Sequence, residues 1–166
     1  MALYTIMNGP SPTTASFAAV TTGTAIKTLL QLKPFNVVKI KEWGISFDGS
    51  AAATPIEVEL IDTGTVFATV TASVDADVMK FDGAEGAVAS IAGLTLGTAA
   101  TGYTSSAEGS ITATKIYDCQ FIAPTNQYVK QFPLGLEPKC IIGNSVRIRV
   151  KAGAAVNAVA YMVIEL

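Results

Sequence analysis

In residues 145–151 apolar and basic side chains take turns: Val146, Ile148 and Val150 fall on one side of the chain, Arg147, Arg149 and Lys151 on the other. A period of two is the mark of a strand with one dry and one wet face. Residues 157–166 give a second strand of similar length. Its apolar residues Tyr161, Met162, Val163 and Ile164 require pairing inside a sheet, since otherwise they would form a frayed apolar end.

The rest of the chain reads in the same key. Residues 35–47 form a long strand in which Gly44 interrupts the alternation, so a β-bulge is expected there. Residues 56–60 alternate cleanly, Asp62-Thr63-Gly64 supplies a turn, and residues 66–71 look like the partner strand, so residues 56–72 are expected to form a hairpin. Strand pattern returns at residues 111–122 and 128–132, and Gly143-Asn144 marks a turn. Val74, Val78 and Phe81 recur at helical spacing, which predicts one short helical turn within residues 75–86. Residues 87–109, rich in Ala, Gly, Thr and Ser, read as an extended loop with a weak strand near Leu94. About eight strands with almost no helix predict an all-β fold, an antiparallel two-sheet sandwich of jelly-roll type. Residues 1–34 are expected to be an irregular N-terminal arm with a first edge strand, ordered only over residues 24–32. Residues 35–166 are expected to form a single sandwich domain.

Composition removes most chemistry. The chain of 166 residues has no histidine, which takes away the commonest general base, the usual serine and cysteine triads and most zinc sites. No phosphate-binding loop, dinucleotide fingerprint or nucleophile elbow is present. No enzyme activity, cofactor, catalytic residue or metal site is therefore expected. Charged residues make up 14% and the net charge is −2, with nine Lys and two Arg scattered along the chain, so nucleic acid is not an expected partner. No apolar run nears the ~20 residues that cross a bilayer, and no positively charged leader precedes Lys27, so neither a membrane nor a secretory route is expected. Cys119 and Cys140 read as two buried thiols, with a disulfide as the alternative. A surface of small neutral side chains suits packing against other proteins.

Two acidic groups invite comparison with known sites. Asp75, Asp77 and Asp82 resemble the start of a calcium loop, but Met79, Lys80 and Gly86 stand where a ligand, a glycine and a bidentate glutamate are needed. A solvated acidic turn is the better reading. Glu57 and Glu59 share one face of a strand about 7 Å apart. That spacing could serve a glycosidase, yet no aromatic residue accompanies them, and a solvated face fits better. Arg147, Arg149 and Lys151 form a basic stripe suited to pairing with Glu57 and Glu59 on a neighbouring strand. Trp43 reads as a core or interface anchor.

The ending Phe132-Pro133-Leu134-Gly135-Leu136-Glu137-Pro138, followed by Val146-Arg147-Ile148-Arg149-Val150 and by Asn157-Ala158-Val159-Ala160-Tyr161-Met162-Val163-Ile164-Glu165, resembles the C-terminal portion of the capsid decoration, or cement, proteins of tailed bacteriophages. The resemblance covers roughly the last forty residues. It implies a structural virion protein with a jelly-roll-like module, a homotrimer assembled in the host cytoplasm. Such a protein binds the major capsid protein on the outer face of the head, at capsomer junctions, and stabilises the capsid against internal pressure. Another virion component (head fibre, tail or capsid-associated protein) is the nearest alternative, and a carbohydrate-binding jelly roll a more distant one.

Overall fold

The computed structural model describes residues 2–81 and 92–166. Among them are thirteen strands: β1 (Leu3–Met7), β2 (Val20–Thr21), β3 (Lys27–Leu32), β4 (Val38–Phe47), β5 (Ile56–Asp62), β6 (Thr69–Ala72), β7 (Val78–Lys80), β8 (Gly102–Ala107), β9 (Lys115–Ile122), β10 (Gln127–Gln131), β11 (Lys139–Cys140), β12 (Val146–Lys151) and β13 (Asn157–Glu165). They form two sheets. The first runs β10-β4-β13-β1-β7, with β11 also on β4 and β2 on β13, and the second runs β6-β8-β3-β12-β5-β9. Every pairing of named strands is antiparallel.

The all-β sandwich read from the sequence is the observed class. Its core lies between the sheets. Tyr4, Ile6, Ile40, Trp43, Ile45, Met162 and Ile164 come from the first, Leu30, Leu32, Val58, Leu60, Val146 and Ile148 from the second, and all are buried. Each such side chain taken out of water contributes roughly 1.5–3 kcal/mol. The terminal strand β13 is central, between β4 and β1, which satisfies its backbone on both edges.

Four local expectations are corrected. The boundary at residue 35 falls inside the sandwich: β1 lies between β13 and β7, and β3 between β8 and β12, so both sheets draw on residues 1–34. What is irregular there is the connection between β1 and β3, interrupted only by the two residues of β2.

The bulge in β4 is not at Gly44. Val163 faces Glu42 and Ile164 faces Ile40, so the extra residue is Lys41. This slip in parity puts Trp43, Ile45 and Phe47 on the same inward face as Val38 and Ile40. Gly44 has another reason: a Cβ there would come within 2.5 Å of the Tyr161 ring lying across the strand.

The hairpin over residues 56–72 does not form, because β5 and β6 lie at different places in the second sheet. Residues 63–68 cross the outer face of that sheet instead, over β12 and β3, and are held by polar side chains pointing up from those strands. The Gln31 amide donates to Ala100 O at 2.7 Å and accepts from Ala68 N at 2.8 Å. Arg147 donates to Val66 O, and Thr63 N bonds Ser145 O at 3.0 Å.

The low-complexity stretch contains a sheet strand, β8, between β6 and β3. Leu94 makes only an isolated bridge to Pro34. Residues 82–91, part of the expected loop and of the expected helical turn, lie outside the described residues. The expected short helical turn is present, as a single 3-10 turn at Asp75–Asp77, after which Val78 enters a strand.

β8 was hidden by its composition, and its first residue shows why small side chains are needed there. A Cβ on Gly102 would stand 2.3 Å from Thr71 O and 2.6 Å from a Val70 methyl carbon. Backbone at that distance cannot yield cheaply. Gly102→Ala is expected to destabilise the fold by about 1–3 kcal/mol, the usual range for overpacking. Equilibrium denaturation in urea measures it, and an unchanged midpoint would show that β6 and β8 are not packed as described.

Candidate binding surface

The residues singled out in the sequence do not converge on a reaction centre. Arg149 pairs with Glu59, its guanidinium nitrogens 2.8 and 2.9 Å from Oε1, and Lys151 stands opposite Glu57 in the same ladder. The expected cross-strand pairing of basic stripe and glutamates is therefore present. Arg147 departs from it. This side chain is fully buried beneath the 63–68 crossing, with Nη1 3.0 Å from Glu108 O and 3.3 Å from Glu108 Oε2. Burial pulls its pKa below the usual value, and the Glu108 charge offsets this only in part. Glu108 also accepts from Thr28 N and Thr28 Oγ1, both at 2.6 Å, which makes it a structural tie.

Asp77 is buried as well. Its carboxylate accepts from Ser11 N and Val74 N, each at 2.8 Å, and so ties the chain after β1 to the 3-10 turn. Asp82 lies outside the described residues. Both cysteines are free thiols. Cys140 is buried and its pKa is pushed up to about 12 by desolvation, whereas Cys119, expected to be buried, is exposed on the outer face of β9. Trp43 is a core residue with its ring centroid 5.4 Å from that of Tyr128. Among the described residues no three His, Cys, Asp or Glu side chains come together as metal ligands, and no helix is long and apolar enough to cross a membrane.

What the structure does bring together is an apolar surface along one side of the sandwich, where the edge of each sheet ends. β9 closes one edge, β10 and β11 the other. Asp118 joins them: its carboxylate accepts from Tyr128 Oη at 2.9 Å and Gln120 Nε2 at 3.0 Å, with Lys130 Nζ at 3.3 Å. Burial alone would raise the Asp118 carboxyl, but these hydrogen bonds and the lysine charge prevail and hold it below its usual range. Tyr117 Oη adds a bond to Lys139 O at 3.2 Å.

Between β10 and β11 the chain leaves β4 and returns to it. Phe132 N donates to Lys41 O and Ile40 N to Pro138 O, both at 2.9 Å, so residues 133–137 form an excursion opposite the bulge. Its apolar side chains point outward: Leu134 is 86% and Leu136 73% exposed. Ile141, Ile142 and Ile116 are exposed beside them, and the neighbouring groove of about 550 Å³ is lined by Ile116, Tyr117, Phe132, Leu136, Pro138 and Ile141. Large aliphatic groups clustered in water this way are uncommon on the surface of a protein that works alone.

The excursion is held in place from below. The bulge turns Lys41 so that its Nζ lies between two buried carboxylates, bonded to Glu137 Oε1 and 3.1 Å from Glu165 Oε2. The other Glu137 oxygen accepts from Gly135 N at 2.9 Å, and Leu136 N bonds Pro133 O at 2.9 Å, which closes the turn. Gly135 has φ +87°, a conformation that favours glycine. The hydrogen bond from Lys41 first, then backbone N–H groups, hold the Glu137 carboxyl down at about 2, below the usual carboxylate range. None of this was legible beforehand except the Pro-Leu-Gly-Leu-Glu-Pro string itself.

Comparison with protein-family models, with curated proteins and with solved structures finds no match to this chain.

The Glu137 tie sets a pH dependence. A carboxylate with a depressed folded pKa contributes stability that is fully present above its unfolded value near 4.5 and lost as the pH falls through about 2. The wild-type melting temperature is expected to fall more steeply than that of Glu137→Gln over this window. Scanning calorimetry at a series of pH values checks it, and parallel curves would remove Glu137 from its assigned role.

Proposed function

We propose that this protein is a non-enzymatic structural component of a virion, a decoration protein that docks on the outer surface of a tailed-phage head and stabilises the capsid shell. The observation that carries this reading is the rigidly held apolar excursion at residues 133–137. It displays Leu134 and Leu136 to solvent at the open edge of a sandwich. An enzyme needs a pocket with convergent polar groups, and here the polar groups near the groove are engaged in ties: Glu137 with Lys41, Asp118 with Tyr128 and Lys130. The same engagement disfavours the carbohydrate-binding alternative, which calls for a free carboxylate beside Tyr117 and Phe132.

Such a protein acts by mass action. By binding the assembled shell and not its disrupted state, it adds its binding free energy once per copy, with no chemistry required. Association as a homotrimer with the major capsid protein beneath it would cover the apolar excursion. A head-fibre or other capsid-associated role would use the same surface, and copy number per particle separates the two, being high for a decoration protein and low for a fibre.

Leu134→Ser combined with Leu136→Ser is expected to weaken binding to purified heads at least tenfold while leaving the melting temperature of the free protein unchanged, because both side chains are already in water. Co-sedimentation with heads lacking the protein, and the temperature at which those heads disrupt, measure the effect. Wild-type protein that neither co-sediments nor raises the disruption temperature would overturn the proposal.

A further inference from the structure

The two sheets have unequal edges. At the far side from the apolar surface the edges are β6 and β7, of four and three residues. On the near side the first sheet ends in β10 and β11, five and two residues long and separated by the 133–137 excursion. Short and interrupted edges give little for a foreign strand to pair with. β9 is different: it spans eight residues, pairs with β5 on one side, and pairs with no strand on the other among the described residues. Its outward side chains are Ile116, Cys119 and Phe121, with Phe121 73% exposed. Ile116 and Cys119 are three residues apart because β9 bulges at Tyr117, and an unpaired edge that presents apolar side chains on either side of such a bulge can accept an added strand.

At the groove end of this edge the unpaired charge is basic, whereas Glu57 and Glu59 stand across from Phe121 and Cys119 farther along. Lys115 opens β9 and Lys139 opens β11, on either rim of the apolar groove, and both are exposed. No carboxylate lies within 4.0 Å of either ammonium among the described residues. The nearest acids on this rim are committed elsewhere. Asp62, opposite Lys115 in the ladder, accepts from Gly64 N and the Asn144 amide, and Glu137 is held by Lys41. Lys139 moreover stands directly across from Lys39, whose ammonium has Glu165 Oε2 at 3.9 Å on its other side, and like charges facing each other in a ladder are destabilising. An arriving carboxylate would relieve that repulsion. A second copy of this chain would instead bring the same lysines to a twofold contact.

We propose that the outer edge of β9 and the adjoining groove accept an extended segment of a partner protein, added as a strand, with apolar side chains for the groove and at least one carboxylate between Lys115 and Lys139. Strand addition makes the affinity depend on main-chain hydrogen bonds along β9 and the selectivity on the groove and the two ammonium groups. The inference rests on the preceding reading only in taking the partner to be a protein.

The test uses the full chain as the target for selection from a displayed library of random twelve-residue peptides. Selected peptides are expected to be enriched in aliphatic residues together with Asp or Glu. They should lose about tenfold in affinity against the variant with Lys115→Glu and Lys139→Glu, and should slow amide hydrogen exchange along β9. That variant should fold, since both positions are exposed and the new carboxylate at 139 would face Lys39. Failure to select any binder, binders without acidic enrichment, binders indifferent to the charge reversal, or edge-to-edge dimers of the protein through β9 would each overturn the inference. The same variant in the head co-sedimentation assay keeps the two proposals apart: unchanged binding to heads with loss of the peptides would leave strand addition standing as a property of this edge but remove the shell as its partner.

Discussion

One ammonium group sets how the apolar surface is presented. Lys41 is the extra residue of the β4 bulge, and the bulge aims its side chain at two carboxylates, Glu137 and Glu165, that are both almost wholly buried. Either carboxylate without a cation in that position would be strongly destabilised by desolvation. Glu137 in turn holds Gly135 N, and the backbone on both sides of Lys41 holds the two ends of the excursion through Phe132 and Pro138. A loop with exposed leucines would ordinarily collapse onto the nearest apolar surface. Here its ends, its turn and its one acidic side chain are all tied to the same short piece of β4.

The same use of charge recurs where the sandwich has to be closed. Arg147 pins the 63–68 crossing to the outer face of the second sheet, and Asp118 links the two open edges through Tyr128 and Lys130. With only 14% charged residues, the chain commits much of its charge to such ties and leaves its surface to small neutral and apolar groups. That distribution suits a protein whose work is contact. It ties down the places where loops cross or end and leaves the exposed excursion apolar.

The sequence pattern carried the fold class, because period-two alternation in β5, β12 and β13 can only be satisfied in sheets with one buried face. It also carried the Arg149 and Glu59 pairing, a nearest-neighbour relation within one ladder. It did not carry what depends on segments far apart. Arg147 alternates just as Arg149 does, and only the crossing of residues 63–68 overhead makes one buried and the other not. Asp62-Thr63-Gly64 looks like a hairpin turn, but β12 takes the place beside β5 and sends the chain across the sheet. Gly44 looks like a bulge because it breaks the alternation, whereas the parity changes at Lys41, whose long side chain gives no such sign. β8 gives no strand signal because Gly102 is needed for the close approach of Thr71 and the Ser and Thr residues after it carry no apolar alternation. The outward turn of Leu134 and Leu136 rests on the Lys41 tie, which joins residues nearly a hundred positions apart.

The central claim is that the Lys41 cluster holds the 133–137 excursion in one fixed conformation with its leucines outward. Amide hydrogen exchange at Gly135, followed by NMR in the free protein, tests it most directly. Protection at Gly135 in the wild type, lost in Lys41→Met while the amides of β13 stay protected, is the predicted result. Rapid exchange at Gly135 in the wild type, or equal protection in both proteins, would contradict it.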